Sequence, residues 1–102
     1  MTVLFTWDET KNRANQRKHG GIAFELAARV FDDPLRLARQ DRFEGGEERW
    51  QTIGQVYGIT VLLVAHTVAE DHTETEQVEV IRIISARRAT AQERKSYENS
   101  EL

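Results

Sequence analysis

The stretch Val80–Tyr97, V-I-R-I-I-S-A-R-R-A-T-A-Q-E-R-K-S-Y, constrains the fold more than any other part of the chain. Val80, Ile81, Ile83 and Ile84 have the β-branched, apolar composition of a strand covered on both faces, yet Arg82 stands among them. An arginine in such a strand must be paired or must face a groove. Thr90 and Glu93 form a T-x-x-E capping box, which predicts that the chain leaves the sheet through Ser85 to Ala89 and enters a helix over Thr90 to Glu98. Three arginines, Arg82, Arg87 and Arg88, are then held by one strand and its exit. The ordinary fate of the last two is that of solvated turn residues.

A chain of 102 residues has apolar surface for one core, so residues 1–102 read as a single domain. No apolar run reaches the ~18 residues of a membrane span. The start M-T-V-L-F-T-W-D lacks the pattern of a signal peptide. The expected location is cytoplasmic, with no membrane contact. The absence of cysteine excludes disulfides, thiol catalysis and thiolate metal sites. A net charge of −3 argues weakly against nucleic acid, but the charges are segregated. Lys11, Arg13, Arg17 and Lys18 follow one another without an acid, and Arg82 to Lys95 holds five basic residues against Glu93. Acids collect over Asp41 to Glu48 and Glu70 to Glu79. One face can therefore attract phosphates while the whole stays acidic.

The remaining elements follow in order. Val3 to Trp7 reads as a strand, and Asp8 is an N-cap for a helix from Glu9 to Lys18. That helix is unusually polar: Lys11, Asn15 and Lys18 share a stripe beside His19, which predicts either a solvated surface or the wall of a substrate groove. Gly20 and Gly21 end it. Ile22 to Asp32 predicts a second, core-facing helix through Phe24, Ala27, Ala28 and Phe31, and Pro34 stops it. Leu35 to Ala38 reads as a short strand, Arg49 to Tyr57 as a second and Ile59 to Thr67 as a third. Trp50, Thr52 and Gly54 share one face of the second, with Arg49, Gln51, Ile53 and Gln55 on the other. Glu70 to Glu76 reads as a solvated loop before the final strand. The order β-α-α-β-β-β-β-α predicts an α+β domain whose sheet is an antiparallel meander, with two N-terminal helices and one C-terminal helix.

The chemistry is narrowed by elimination. His19, His66 and His72 share no metal-ligand spacing, and the acidic loop lacks the glycine and spaced oxygens of a calcium site. Gly20-Gly21 and Gly45-Gly46 match no phosphate-cradling motif, and G-x-S-x-G is absent. No metal or cofactor is expected. Basic and aromatic residues remain: Lys11, Lys18, His19, Arg49, Trp50, His66, Arg82, Arg87, Arg88 and Tyr97. They suit RNA cleavage in which the ribose 2′-hydroxyl attacks its own phosphate. The substrate brings the nucleophile, and the protein need only move protons and steady charge. Aromatic rings can stack splayed bases. His66, alone in a strand, reads as a structural histidine.

A resemblance narrows the reading. F-x-W-D-x-x-K at Phe5–Lys11, N-x-x-K-H-G at Asn15–Gly20, Phe24, F-D-D-P at Phe31–Pro34 and E-E-R-W at Glu47–Trp50 occur in fixed order. Ile53-Gly54, I-R-I-I-S-A-R at Ile81–Arg87 and E-x-x-x-Y at Glu93–Tyr97 complete the series. The sequence resembles the BrnT toxins of bacterial type II toxin–antitoxin systems, small ribonucleases with a RelE-like fold. That likeness implies a metal-independent endoribonuclease that halts translation. It also implies a BrnA-like ribbon-helix-helix antitoxin, contact with operator DNA only through that antitoxin, and a dimer within a toxin–antitoxin heterotetramer. Carried onto this chain, it implies charge stabilisation by Arg82 and Arg87 and proton transfer by His19 or Tyr97. Lys11 and Lys18, with Arg49 and Arg88, are expected to hold phosphates, and Trp50 to stack a base. The alternative is a non-catalytic module that binds an antitoxin or repressor partner through its basic faces. The last helix has only Ala91 and Tyr97 as apolar contacts after its cap, so it is expected to depend on docking.

Overall fold

A computed structural model describes residues 2–101. Five strands form one sheet in the order β1-β5-β4-β3-β2: β1 (Thr2–Thr6), β2 (Leu37–Glu44), β3 (Glu47–Val56), β4 (Thr60–His72) and β5 (Gln77–Arg88). The helices are α1 (Glu9–Lys18), α2 (Phe24–Ala27), which tightens into a 3-10 turn over Ala28–Asp32, and α3 (Ala91–Glu98). The α+β class and element order agree with the sequence reading. The meander does not extend to the whole sheet, because β1 runs parallel to β5 with Phe5 opposite Ile81. Among the described residues no helix is long and apolar enough to cross a membrane.

Strand alternation divides the sheet into two faces. Thr52, Leu62, Val64, His66, Ile83 and Ala86 point toward α1 and α2, where Phe24, Ala27 and Val30 complete the main core. The 3-10 turn brings Val30 onto the same side as Ala27, three residues earlier. Gly54 lets it settle there, since a Cβ would stand 2.8 Å from Val30 Cγ1. On the other face α3 covers a smaller cluster of Ile53, Val61 and Ala89, joined by Leu37 and Tyr97.

Several boundaries differ from the sequence expectation, among them the second helix, expected over Ile22 to Asp32 but α-helical only over Phe24–Ala27 before the 3-10 turn. The acidic residues Glu70 to His72 are strand, because backbone pairing with Gln77 to Glu79 outweighs their poor β preference, and Thr73 closes the turn onto Glu76. β2 runs on to Glu44, where Gly45 and Gly46, both at positive φ, make a two-residue hairpin loop. β5 does not end at Ser85. The register slips between Ala65 and His66, leaving Ile84 as an extra residue, and pairing continues until Arg88 lies opposite Leu62.

The polar helix α1 has an explanation that its sequence conceals. Its buried residues are Asn12 and Asn15, not hydrophobes. Asn12 Oδ1 accepts from Phe24 N–H at 2.8 Å, and its Nδ2 donates to Glu25 at 2.9 Å. Asn15 Nδ2 donates to the carbonyls of Ile22 and Ala86 at 2.9 and 2.8 Å, while Ala86 N–H donates back to Oδ1 at 3.1 Å. Strand β1 ends opposite Arg82, so beyond it the Asn15 amide takes a strand's place beside Ala86. Asn15 therefore belongs to the interior, and the predicted groove stripe keeps only Lys11 and Lys18 exposed.

Candidate active site

Gly20 brings the end of α1 against the end of β5. His19 caps the helix, with its N–H on Asn15 O at 2.8 Å, and Gly20 follows with φ 63°. At that point the approach is close, since a Cβ on Gly20 would meet Arg88 Nη1 at 3.2 Å. Lys18, His19, Gly20, Arg87, Arg88 and Thr90 line one open cavity of about 440 Å³. Four of the expected residues are thus brought together from two segments far apart in sequence. Gly20 and Thr90 complete the wall, although in the sequence they read only as a helix stop and a cap.

Arg87 is not a free cation there. Its two terminal nitrogens donate to the Glu93 carboxylate at 2.8 and 3.0 Å. Glu93 also accepts from Thr90 N–H at 2.8 Å, completing the capping box. The Arg87 hydrogen bonds pull the Glu93 carboxyl down to about 2 against the opposing effect of burial, with help from Thr90. Arg87 thus fixes the start of α3 and presents a half-neutralised edge to the cavity.

The other expected residues lie elsewhere. Arg82 and Arg49 sit on the α3 face of the sheet. Arg82 Nη2 donates to Glu47 Oε1 at 2.7 Å, which supplies the partner that its strand position demanded. Arg49 Nε is buried with no hydrogen-bond partner among the described residues. Lys11 is exposed on α1, about 10 Å along the helix from Lys18 at 1.5 Å per residue. Trp50 projects from the face opposite Arg49, beside His66 and Glu48. Tyr97 is separated from the cavity and donates to Asp33 Oδ2. Burial and that hydrogen bond push its phenol up to about 12, a poor match for a base near neutral pH. His66 reads as structural: buried, its Nε2 lies 2.7 Å from Thr52 Oγ1, its ring meets Phe31 edge-on, and burial lowers its pKa. Among the described residues no group of three or more His, Cys, Asp or Glu side chains is placed to hold a metal ion.

The ties of α3 define a pH window. Asp33 resists the upward push of burial because Gln55 N–H, Tyr97 and Leu35 N–H all donate to it, which leaves its carboxyl below the usual 3.8. Both carboxyls are depressed in the folded state. Their contribution is therefore present above about pH 4.5 and is lost as pH falls through the folded values, about 2 for Glu93. Tyr97 is raised from 10.0, so its contribution is lost at the alkaline end, as pH climbs toward about 12. Amide exchange over Ala91 to Glu98, compared with that of β4, should show selective loosening of α3 at both extremes. Uniform protection from pH 3 to 11 would contradict these ties.

A family model described as the ribonuclease toxin BrnT of a type II toxin–antitoxin system matches residues 7–93. The chain belongs to the BrnT family. A structure search adds the crystal structure of the Brucella abortus ribonuclease toxin BrnT, at 24% identity and TM-score 0.55, covering 88% of this chain and 99% of that one. At that identity the likeness speaks for the fold. Comparison with curated proteins finds no match. As a BrnT-family member the chain is a ribonuclease toxin, with RNA as the substrate class and an antitoxin as the partner class.

Proposed function

We propose that this BrnT-family chain is a metal-independent endoribonuclease of the cytoplasm, which cuts RNA to inhibit translation and is neutralised by a BrnA-like ribbon-helix-helix antitoxin. The observation that carries the catalytic reading is the convergence of Lys18, His19, Arg87 and Arg88 on one cavity. In the proposed step His19 takes the proton of a ribose 2′-hydroxyl, and the freed oxygen attacks the adjacent phosphorus. The bond to the 5′ oxygen breaks, and that oxygen takes its proton from solvent. Lys18 and Arg88 hold the phosphate oxygens as negative charge builds on them. Arg87 positions the wall through Glu93. Lys11, Arg49 and Arg82 hold flanking phosphates. Trp50 and Tyr97 are left out, because one stands among carboxylates and the other is committed to Asp33.

The test is the chemistry of the products. Purified protein with excess EDTA should cut RNA at its undiminished rate, leaving 2′,3′-cyclic phosphate and 5′-hydroxyl ends. Cleavage abolished by the chelator, or fragments bearing 5′-phosphate, would overturn the mechanism.

A further inference from the structure

The far half of the helix-bearing face carries a second cavity that the nuclease reading does not use. Beyond Phe31 the helices no longer cover the sheet, and a groove of about 420 Å³ opens over Trp50, Val68 and Ile81, with Ala38 and Phe31 at its sides. Its rim holds Glu48, Glu70 and Glu79 against the lone cation Arg36, whose Nη1 is turned onto Asp33 O at 3.1 Å. Glu70 and Glu79 stand directly opposite each other across β4 and β5. Like charges in such a cross-strand pair repel. Glu48 and Glu79 form no ion pair among the described residues, and Glu70 meets only exposed His72 at 3.8 Å and a long hydrogen bond from Gln77 Nε2 at 3.4 Å.

The chemistry selects the occupant. Phosphates would be repelled by the three carboxylates. A divalent ion has no converging donor set here. What fits is a cation on a long apolar stem, packed on an indole ring and ringed by carboxylates. A BrnT-family toxin has an antitoxin as its partner, which would supply such a group from a protein chain. We infer that this groove receives an arginine or lysine side chain of the antitoxin, its stem over Trp50 and Val68 and its charge among Glu48, Glu70 and Glu79. The inference rests on the toxin–antitoxin reading. It assigns the antitoxin to the face opposite Arg49 and Arg82, with the repulsion between Glu70 and Glu79 relieved on binding.

The experiment measures, by titration calorimetry, the affinity of the purified chain for a small ribbon-helix-helix protein taken from an adjacent reading frame as the candidate antitoxin. Combined Glu48→Gln, Glu70→Gln and Glu79→Gln should weaken binding at least about tenfold. The control set Glu74→Gln, Glu98→Gln and Glu101→Gln should stay within about twofold. Val68→Lys, which places a fixed cation in the groove, should also weaken binding at least about tenfold while leaving the urea midpoint unchanged or higher. RNA cleavage should be unaffected in both groove variants. Folded groove variants that bind like wild type would overturn the inference and leave the toxin reading intact. Groove variants that lose cleavage would also overturn it, by making the groove part of the RNA site. A wild-type chain that binds no such antitoxin would remove the toxin–antitoxin reading, and this inference with it.

Discussion

Asn15→Ala is expected to lower the free energy of unfolding by about 3 to 5 kcal/mol, the largest loss expected from any residue of α1. The side chain is buried and satisfies three backbone groups: the carbonyls of Ile22 and Ala86 and the N–H of Ala86. Truncation leaves all three without a partner in a dry interior, at about 1 to 3 kcal/mol for each group that water cannot reach. Asn15→Leu should be no better, since it restores volume but no hydrogen bond. Asn15→Asp should fall between wild type and alanine, because it keeps the acceptor for Ala86 N–H while setting a carboxylate against two carbonyls. Urea midpoints measured by far-UV circular dichroism rank the series. An alanine variant within about 0.5 kcal/mol of wild type would mean that α1 is held by something other than this amide.

The second large effect is catalytic. His19→Ala should reduce RNA cleavage at least about 100-fold, the scale of a lost general base. The fold should survive, because His19 is only partly buried and the main core lacks it. Arg88→Ala, which removes an exposed guanidinium from the same cavity, should cost about 10- to 100-fold in kcat. Lys11→Ala lies a helix length away and should raise KM with kcat little changed. Tyr97→Phe should leave the rate within about threefold while loosening α3, a split that separates latch from catalyst. Cleavage retained by His19→Ala would remove the proposed base. If Lys18→Ala and Arg82→Ala kept growth inhibition but abolished antitoxin binding, the basic residues would be an interface and not a site.

The capping box at Thr90, the two-faced strand around Trp50 and the cluster of Phe24, Ala27 and Phe31 were legible because each depends on neighbours within a few residues. The α+β class follows from the order of such elements. Arg82 was legible in part: its sequence position required a partner, but Glu47 lies on another strand and no local pattern names it. The Lys18 to Arg88 grouping was visible as a set of basic residues. The placement of Arg82, Arg49 and Lys11 outside that cavity was not, because it depends on how β3, β5 and α1 pack together, and the extra residue at Ile84 settles the facing only of Arg87 and Arg88.

From the sequence alone came the element types, the core faces and a pool of basic residues without cysteine or a metal motif. Each is set by periodicity, propensity or composition along the chain itself. Tertiary structure alone decided that a polar helix is held by two buried asparagines, that β1 joins the sheet in parallel, and that three strand glutamates gather around Trp50. These are contacts between residues distant in sequence. They exist only once the sheet has fixed its register, because an amide, a free strand edge or a carboxylate takes its meaning from what is set opposite it.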